Sequence, residues 1–203
     1  MITNREEVID KAFKVFLKMN YEKASISTLA KACGVVKTGV VYYFPHKLDL
    51  FIAVADKFVL QLQSPANKFT TSANTLAEFI DQYVAGVSNT MKGIVNLVDD
   101  GNNPYDCCPN FYYIHFLSQV RMYYPNVRQK IANIFQQEYE MWKNVIQKAK
   151  DDGEIKGDTD VSKAARLFRE VFCGLSYEQS FLNGLNINNL NDSFQYLYSF
   201  LKA

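Results

Sequence analysis

Between Ser25 and Lys47 the chain reads SISTLAKACGVVKTGVVYYFPHK. Within it, Lys37, Thr38, Gly39, Tyr42 and Tyr43 form a small, polar and aromatic set that breaks the apolar pattern on either side. Ser25 is a good N-cap, because its hydroxyl can accept from a free N–H of the first helical turn. Ile26, Leu29, Ala30 and Cys33 then recur at helical spacing. Gly34 stands where that helix must end, and glycine alone takes positive φ there without a Cβ clash. A second short helix is predicted over 36–44, stopped by Pro45. Two short helices joined by a glycine turn can lay the second in the major groove of duplex DNA. An ordinary helical hairpin would share the same turn. The setting favours the reader, since one amphipathic helix precedes the pair and a longer helix follows it.

The elements that must hold this pair are also predicted from pattern. Residues 5–19 read as a helix whose buried face is Val8, Ala12, Phe13, Phe16 and Leu17. Asn20 is a residue that tolerates a left-handed C-cap. Lys47 opens a fourth helix reaching Leu62, with a wide apolar face. Residues 64–72 read as a break. A helix over 75–98 follows, which Gly86 and Gly93 weaken or divide. Residues 99–109 read as a loop, 110–124 as an aromatic helix, and the stretch from Pro125 to Lys150 as another. Helices over 161–183 and 190–201 complete the pattern. The fold class is therefore all-α: a small N-terminal helix-turn-helix domain, 1–47, and a larger helical domain, 48–203.

Composition narrows the function classes. The 203 residues are 48% hydrophobic and 14% aromatic, with only 9 Gly and 5 Pro, which suits long helices around a real core. Net charge is +1, so the chain as a whole is not a polybasic binder. Residues 1–60 nevertheless carry nine basic against six acidic side chains, while the remainder is slightly acidic. The basic bias lies where a DNA reader needs it. No apolar run is long enough to span a membrane, and the N-terminus lacks the apolar core of a signal peptide. A cytoplasmic protein is expected, and its four cysteines do not suggest a disulfide framework.

The order of parts resembles the TetR (tetracycline-repressor-like) family of bacterial transcription regulators. The resemblance rests on Val8, Ala12, Phe16, Asn20-Tyr21, Ser25, Leu29-Ala30, Gly34-Val35, Val40, Tyr43-Phe44, Lys47 and Leu50, all in register over about residues 5–55. Three positions depart from it. Val36 stands where the family often has a capping Ser. Val41 stands where a Tyr usually touches phosphate, with Tyr42 adjacent to take over. Asn20 replaces the usual Gly. The resemblance implies Ser25 and Ser27 near phosphates, where a hydroxyl at a helix start is well suited. It implies Lys37 and Thr38 facing the groove, where Lys can donate to guanine and Thr offers a hydroxyl and a methyl. It implies Gly39 allowing close approach, Tyr43 on sugar, phosphate or base, Tyr42 on the phosphate left by Val41, and Lys47 on phosphate; the competing reading is one tyrosine in the core and the other on the surface.

The resemblance also implies a C-terminal effector cavity and a homodimer made by the last two helices. Tyr112, His115, Phe116, Tyr139 and Trp142 are the candidate lining residues; plain core packing is the competing reading for the aromatics. His115 could hydrogen-bond an effector or a core carbonyl. Leu167, Val171, Leu175, Phe181, Phe194 and Leu197 are the candidate dimer contacts, with Gly174 permitting close approach; packing within one subunit is the alternative. Cys107-Cys108 with His115 lacks the spacing of a metal site, so no metal or other cofactor is expected. Nor is an enzyme, since the sequence holds two histidines and no nucleophile or phosphate-loop motif. The function implied is a ligand-responsive repressor on a palindromic operator. The alternative is a helical protein-interaction module whose DNA reading is degenerate.

Overall fold

Asn4 starts the first helix by accepting from the Glu7 N–H at 2.9 Å, and Glu6 and Glu7 in the first turn complement the helix dipole. The computed structural model describes residues 4–69, 73–98 and 109–203. Helix α1 is Arg5–Lys18, α2 is Ile26–Cys33, α3 is Lys37–Tyr43 and α4 is Lys47–Ala55. A π-helical turn, Asp56–Gln61, continues α4. Then come the short α5 (Pro65–Lys68), α6 (Leu76–Val98), α7 (Pro109–Tyr123), α8 (Val127–Asp151), α9 (Val161–Ser180) and α10 (Ile187–Leu201). The one β-type contact among the described residues is an isolated antiparallel bridge between Ile155 and Lys202.

Two apolar cores hold the helices. The first joins α1, α2, α3 and α4 through Val8, Phe13, Phe16, Leu29, Val40, Phe44 and Phe51, and it takes in Phe116 and Val120 of α7. Phe13 stacks on Phe58 at 3.8 Å and meets Phe116 edge-on at 5.3 Å. The second core joins α6, α8, α9 and α10 around Phe79, Tyr83, Trp142, Phe168 and Phe194. Trp142 stacks on Phe168 at 4.6 Å and takes the edge of Phe79 at 4.8 Å.

Several elements differ from the sequence pattern. Helix α6 runs unbroken through Gly86 and Gly93, because packing of its apolar face outweighs two weak residues. Gly86 is there for space: an added Cβ would meet the Lys68 carbonyl oxygen at 2.4 Å. The predicted break at 64–72 contains α5 instead, started by Pro65 at its first position. Of the predicted loop 99–109, Pro109 begins α7, and residues 99–108, with Cys107 and Cys108, lie outside the described residues.

The candidate effector-lining residues do not converge. Phe116 is fully buried in the first core and Trp142 in the second, with Tyr139 packed against that second core and Tyr112 against the first. His115 binds Asn20 and Gln119 side chains, not a core carbonyl. Of the candidate dimer contacts, Phe194 has 0% exposure and is part of its own subunit's core, where Phe168 and Trp142 cover it.

Candidate nucleic-acid interface

The turn between α2 and α3 is set by local chemistry. Ser25 Oγ accepts from the Thr28 N–H at 3.1 Å, which caps α2. Gly34 ends it at φ 72° and ψ 29°, in the left-handed region. The Val35 N–H reaches back to the Ala30 carbonyl at 3.0 Å and the Gly34 N–H to Lys31 at 3.1 Å. This pairing closes the helix with its carbonyls satisfied. Val36 then stands at the N-cap of α3 in an extended conformation and supplies no side-chain acceptor.

Helix α3 is pinned by one face and free on the other. Val40 is fully buried, and Tyr43 is half-buried against the first core. Val36, Lys37, Thr38, Val41 and Tyr42 are exposed, with Val36 at 72% and Tyr42 at 81%. The 100° step between neighbours settles the two tyrosines: Tyr42 points outward and Tyr43 leans inward, their rings edge-to-face at 5.0 Å. Gly39 is half-buried, and a Cβ there would only reach Val35 at 3.4 Å. Ser25 and Ser27 are exposed at the start of α2.

Lys47 is used inside the domain. Its Nζ donates to the Tyr21 carbonyl at 2.8 Å and to Glu22 at 3.4 Å, and lies 4.2 Å over the Tyr21 ring. It ties the link after α1 to the start of α4. Asp49 caps that start by accepting from the His46 N–H at 3.0 Å.

The helix-turn-helix unit is joined to the rest of the chain by α7. Gln119, 4% exposed, donates from Nε2 to the Phe16 carbonyl at 3.0 Å and accepts from the Tyr21 N–H at 2.6 Å. The Phe16 carbonyl is in the last turn of α1, where no intrahelical donor follows, so α7 supplies a cap. Tyr123 donates to Glu22 Oε1 at 2.8 Å, and Tyr124 to Asp56 Oδ1 at 2.8 Å. Burial pushes the phenols of Tyr21 and Tyr124 up, helped by Asp49 at Tyr21 and by Asp56 at Tyr124, where the Lys130 hydrogen bond opposes it; for Tyr123 the hydrogen bond to Glu22 is the main cause. The Tyr113 hydroxyl donates to the Phe58 carbonyl of the π turn at 2.7 Å. Sequence reasoning missed this joint, because a glutamine in a helix carries no signal of a partner about a hundred residues away.

Among the described residues no helix is long and apolar enough to cross a membrane, and no group of His, Cys, Asp or Glu could hold a metal ion.

Residues 8–54 match the family described as bacterial regulatory proteins, tetR family. No curated protein matches the chain in sequence. Among solved structures, the TetR family regulator PfmR from Thermus thermophilus superposes with a TM-score of 0.67 at 13% identity, over 95% of this chain and 97% of that one. A TetR family regulator from Agrobacterium tumefaciens gives 0.65 at 13% identity, over 98% and 97%. One from Cytophaga hutchinsonii gives 0.59 at 16%, over 98% and 94%. At these identities the likeness is one of fold, and it extends over the whole chain.

Proposed function

We propose that the chain, whose residues 8–54 match the tetR family and whose fold is that of tetR family regulators, is a repressor that binds a palindromic operator as a homodimer and is released by a small-molecule effector. The observation that carries the reading is the two-sided character of α3. A helix anchored by Val40 presents Lys37, Thr38, Val41 and Tyr42 to solvent, where nothing in the fold requires them. Lys37 and Thr38 read base edges, and Tyr42 and Tyr43 pack against sugar and phosphate. Gly39 allows close approach, and Ser25 and Ser27 meet phosphates. Lys47 contributes by fixing the link before α2, and its third proton remains for a phosphate. The working division is a reader, 1–47, and an effector-binding and dimerising body, 48–203.

A dimer is supported by what α9 and α10 leave uncovered. Leu167 and Tyr177 on α9, Phe181 and Leu182 just after it, and Tyr196 and Phe200 on α10 are exposed in one subunit. Leu167, Val171, Gly174 and Phe181 recur at helical spacing, and Gly174 has nothing near its Cβ position. Val171, Leu175 and Leu197 are half-buried beneath this face. Pairing two copies across it gives two α3 helices related by a two-fold axis, the symmetry of a palindrome.

The test is a titration of the purified protein, by fluorescence anisotropy, against the DNA just upstream of its own gene and a scrambled fragment, at two salt concentrations. Tight, salt-dependent binding to the native fragment alone is expected. No binding to either at low salt would overturn the DNA reading and favour a protein-interaction module.

A further inference from the structure

Behind α6 the body holds a charged cluster that the reader does not use. Glu138 of α8 is buried and accepts from the Tyr83 hydroxyl at 2.6 Å, while its other oxygen lies 3.5 Å from Arg169 Nε. Lys68 stands beside this pair. Its Nζ donates to Gln63 Oε1 at 3.1 Å and sits 4.7 Å over the Phe172 ring and 5.2 Å over Phe69. Among the described residues no carboxylate comes within ion-pair distance of it. Burial pushes its amine down, and the field of Glu138 only partly opposes that. The same field and burial push the neighbouring Cys173 thiol up, so the thiol adds no negative charge.

The cluster is rich in donors and poor in acceptors. Arg169 Nε is buried with no hydrogen bond aligned on it, and so is the indole N–H of Trp142. Trp142 and Tyr83 have ring centroids 4.9 Å apart, so both belong to the same aromatic cluster. Among the described residues two cations face one carboxylate, and that carboxylate is already taken by Tyr83 and Arg169. The rings packed about it are Phe69, Tyr83, Trp142 and Phe172, and Phe135 lies under the Arg169 guanidinium at 5.7 Å with 52% of its surface exposed. Gln82 Oε1, beside Tyr83 in sequence, is a buried acceptor that likewise has no hydrogen-bond partner. A partly buried excess of positive charge and N–H donors between aromatic faces is well stabilised by an anion.

We propose that the effector of this regulator is a monoanion, a carboxylate or an equivalent oxyanion on a flat apolar body, held by Lys68 and Arg169 against Phe135 and Phe172. This rests on the ligand-responsive reading above and names the ligand class that reading lacks.

The probes are 2-naphthoate, its neutral isostere 2-naphthalenemethanol and the cation 2-naphthylmethylammonium. Trp142 is the only tryptophan, so its fluorescence reports from within the cluster. Each probe is titrated into the full-length protein, with calorimetry as the second measurement. Naphthoate is expected to bind about ten- to a hundredfold more tightly than either isostere, the range of one charge-assisted hydrogen bond. Lys68→Met, which keeps the apolar stem, should bring naphthoate and the alcohol within about twofold, and Lys68→Arg should restore the preference. Circular dichroism melts confirm that both variants fold. A preference for the alcohol or the cation, no saturable binding of any probe, or an unchanged preference in Lys68→Met would each overturn the proposal. Anisotropy of the upstream DNA fragment separates the two claims. Naphthoate bound through Lys68 without releasing DNA would sustain the anion site and defeat the ligand-responsive reading. Release by the cation would do the reverse.

Discussion

Replacing Gly86 with alanine tests whether α5 is seated on α6 as described. In a helix interior, Gly→Ala alone stabilises by about 1 kcal/mol. At Gly86 the new methyl would stand 2.4 Å from the Lys68 carbonyl oxygen and 2.9 Å from Phe69 Cδ1, where ordinary contact begins at 3.4 Å. The nearest atom is backbone, so α5 itself must withdraw by roughly 1 Å. Phe69 stacks on Tyr83 at 4.1 Å, and that stack, worth about 0.5–1.5 kcal/mol, is strained or lost. Overpacking costs about 1–3 kcal/mol, so the net effect is a loss of about 1–2 kcal/mol. Gly93 lies two turns further along the same helix with nothing near its Cβ position. Gly93→Ala should therefore show the propensity gain alone. Urea unfolding followed by Trp142 fluorescence reads both variants from inside the body. Opposite signs, separated by about 2–3 kcal/mol, are expected. A Gly86→Ala protein as stable as Gly93→Ala would refute the seating of α5 and, with it, the placement of Lys68.

Val36→Ser supplies the hydroxyl that α3 lacks and should raise stability by about 1 kcal/mol, seen as a higher thermal midpoint. Gln119→Leu leaves the Phe16 carbonyl and the Tyr21 N–H without their partner, and should cost about 2–3 kcal/mol in denaturant unfolding. Gln119→Glu keeps an acceptor for Tyr21 and should recover part of that loss. Tyr198 is raised to about 12, by burial first and then by its hydrogen bond to Glu154. Its unfolded form ionises near 10, so the stability it contributes is intact below pH 10 and drains away between pH 10 and 12. An ultraviolet titration of tyrosinate should show a late wave shared by several buried or paired tyrosines, from which Tyr198→Phe removes one equivalent.

The helix-turn-helix was legible in the sequence because its signals are local. Ser25 and its receiving N–H at Thr28 are three residues apart, and Gly34 announces its own positive φ. Periodicity likewise located α1, α7, α8 and α9 to within a few residues. What the sequence withheld is what depends on distance. The partners of Gln119 are 98 and 103 positions away, and no window of twenty residues contains that pairing. Gly86 looked like a flaw in a helix and is a contact, because its reason is a carbonyl on another element. Phe194 looked like a dimer contact because periodicity shows that a face is apolar but not which neighbour covers it. The aromatic run 111–124 looked like one lining and is shared out, with Phe116 and Val120 in the first core and Phe111 against Phe181 at the end of α9.

That sharing bears on how an effector could act. Helix α7 has its buried side chains in the reader's core, its Gln119 on the last turn of α1, and its first turn against the end of α9. Close-packed interiors do not stretch, so a shift of α7 by about 1 Å either breaks the Gln119 bonds or carries α1 with it. Breaking them strands two backbone groups away from solvent, at about 1–3 kcal/mol each. Carrying α1 breaks nothing within the reader, because Val8, Phe13, Phe16, Leu29 and Val40 move as one packed unit. Rigid-body motion is therefore the cheaper response, and it turns α3 with the rest. In a dimer the two α3 helices are fixed to different bodies, so a small rotation of each changes their separation, which is the quantity a palindrome reads. An anion drawn between Lys68 and Arg169 acts on α5 and α9. The end of α9 touches α7 through Phe181, so the proposed site and the reader are joined by contacts already present in the fold.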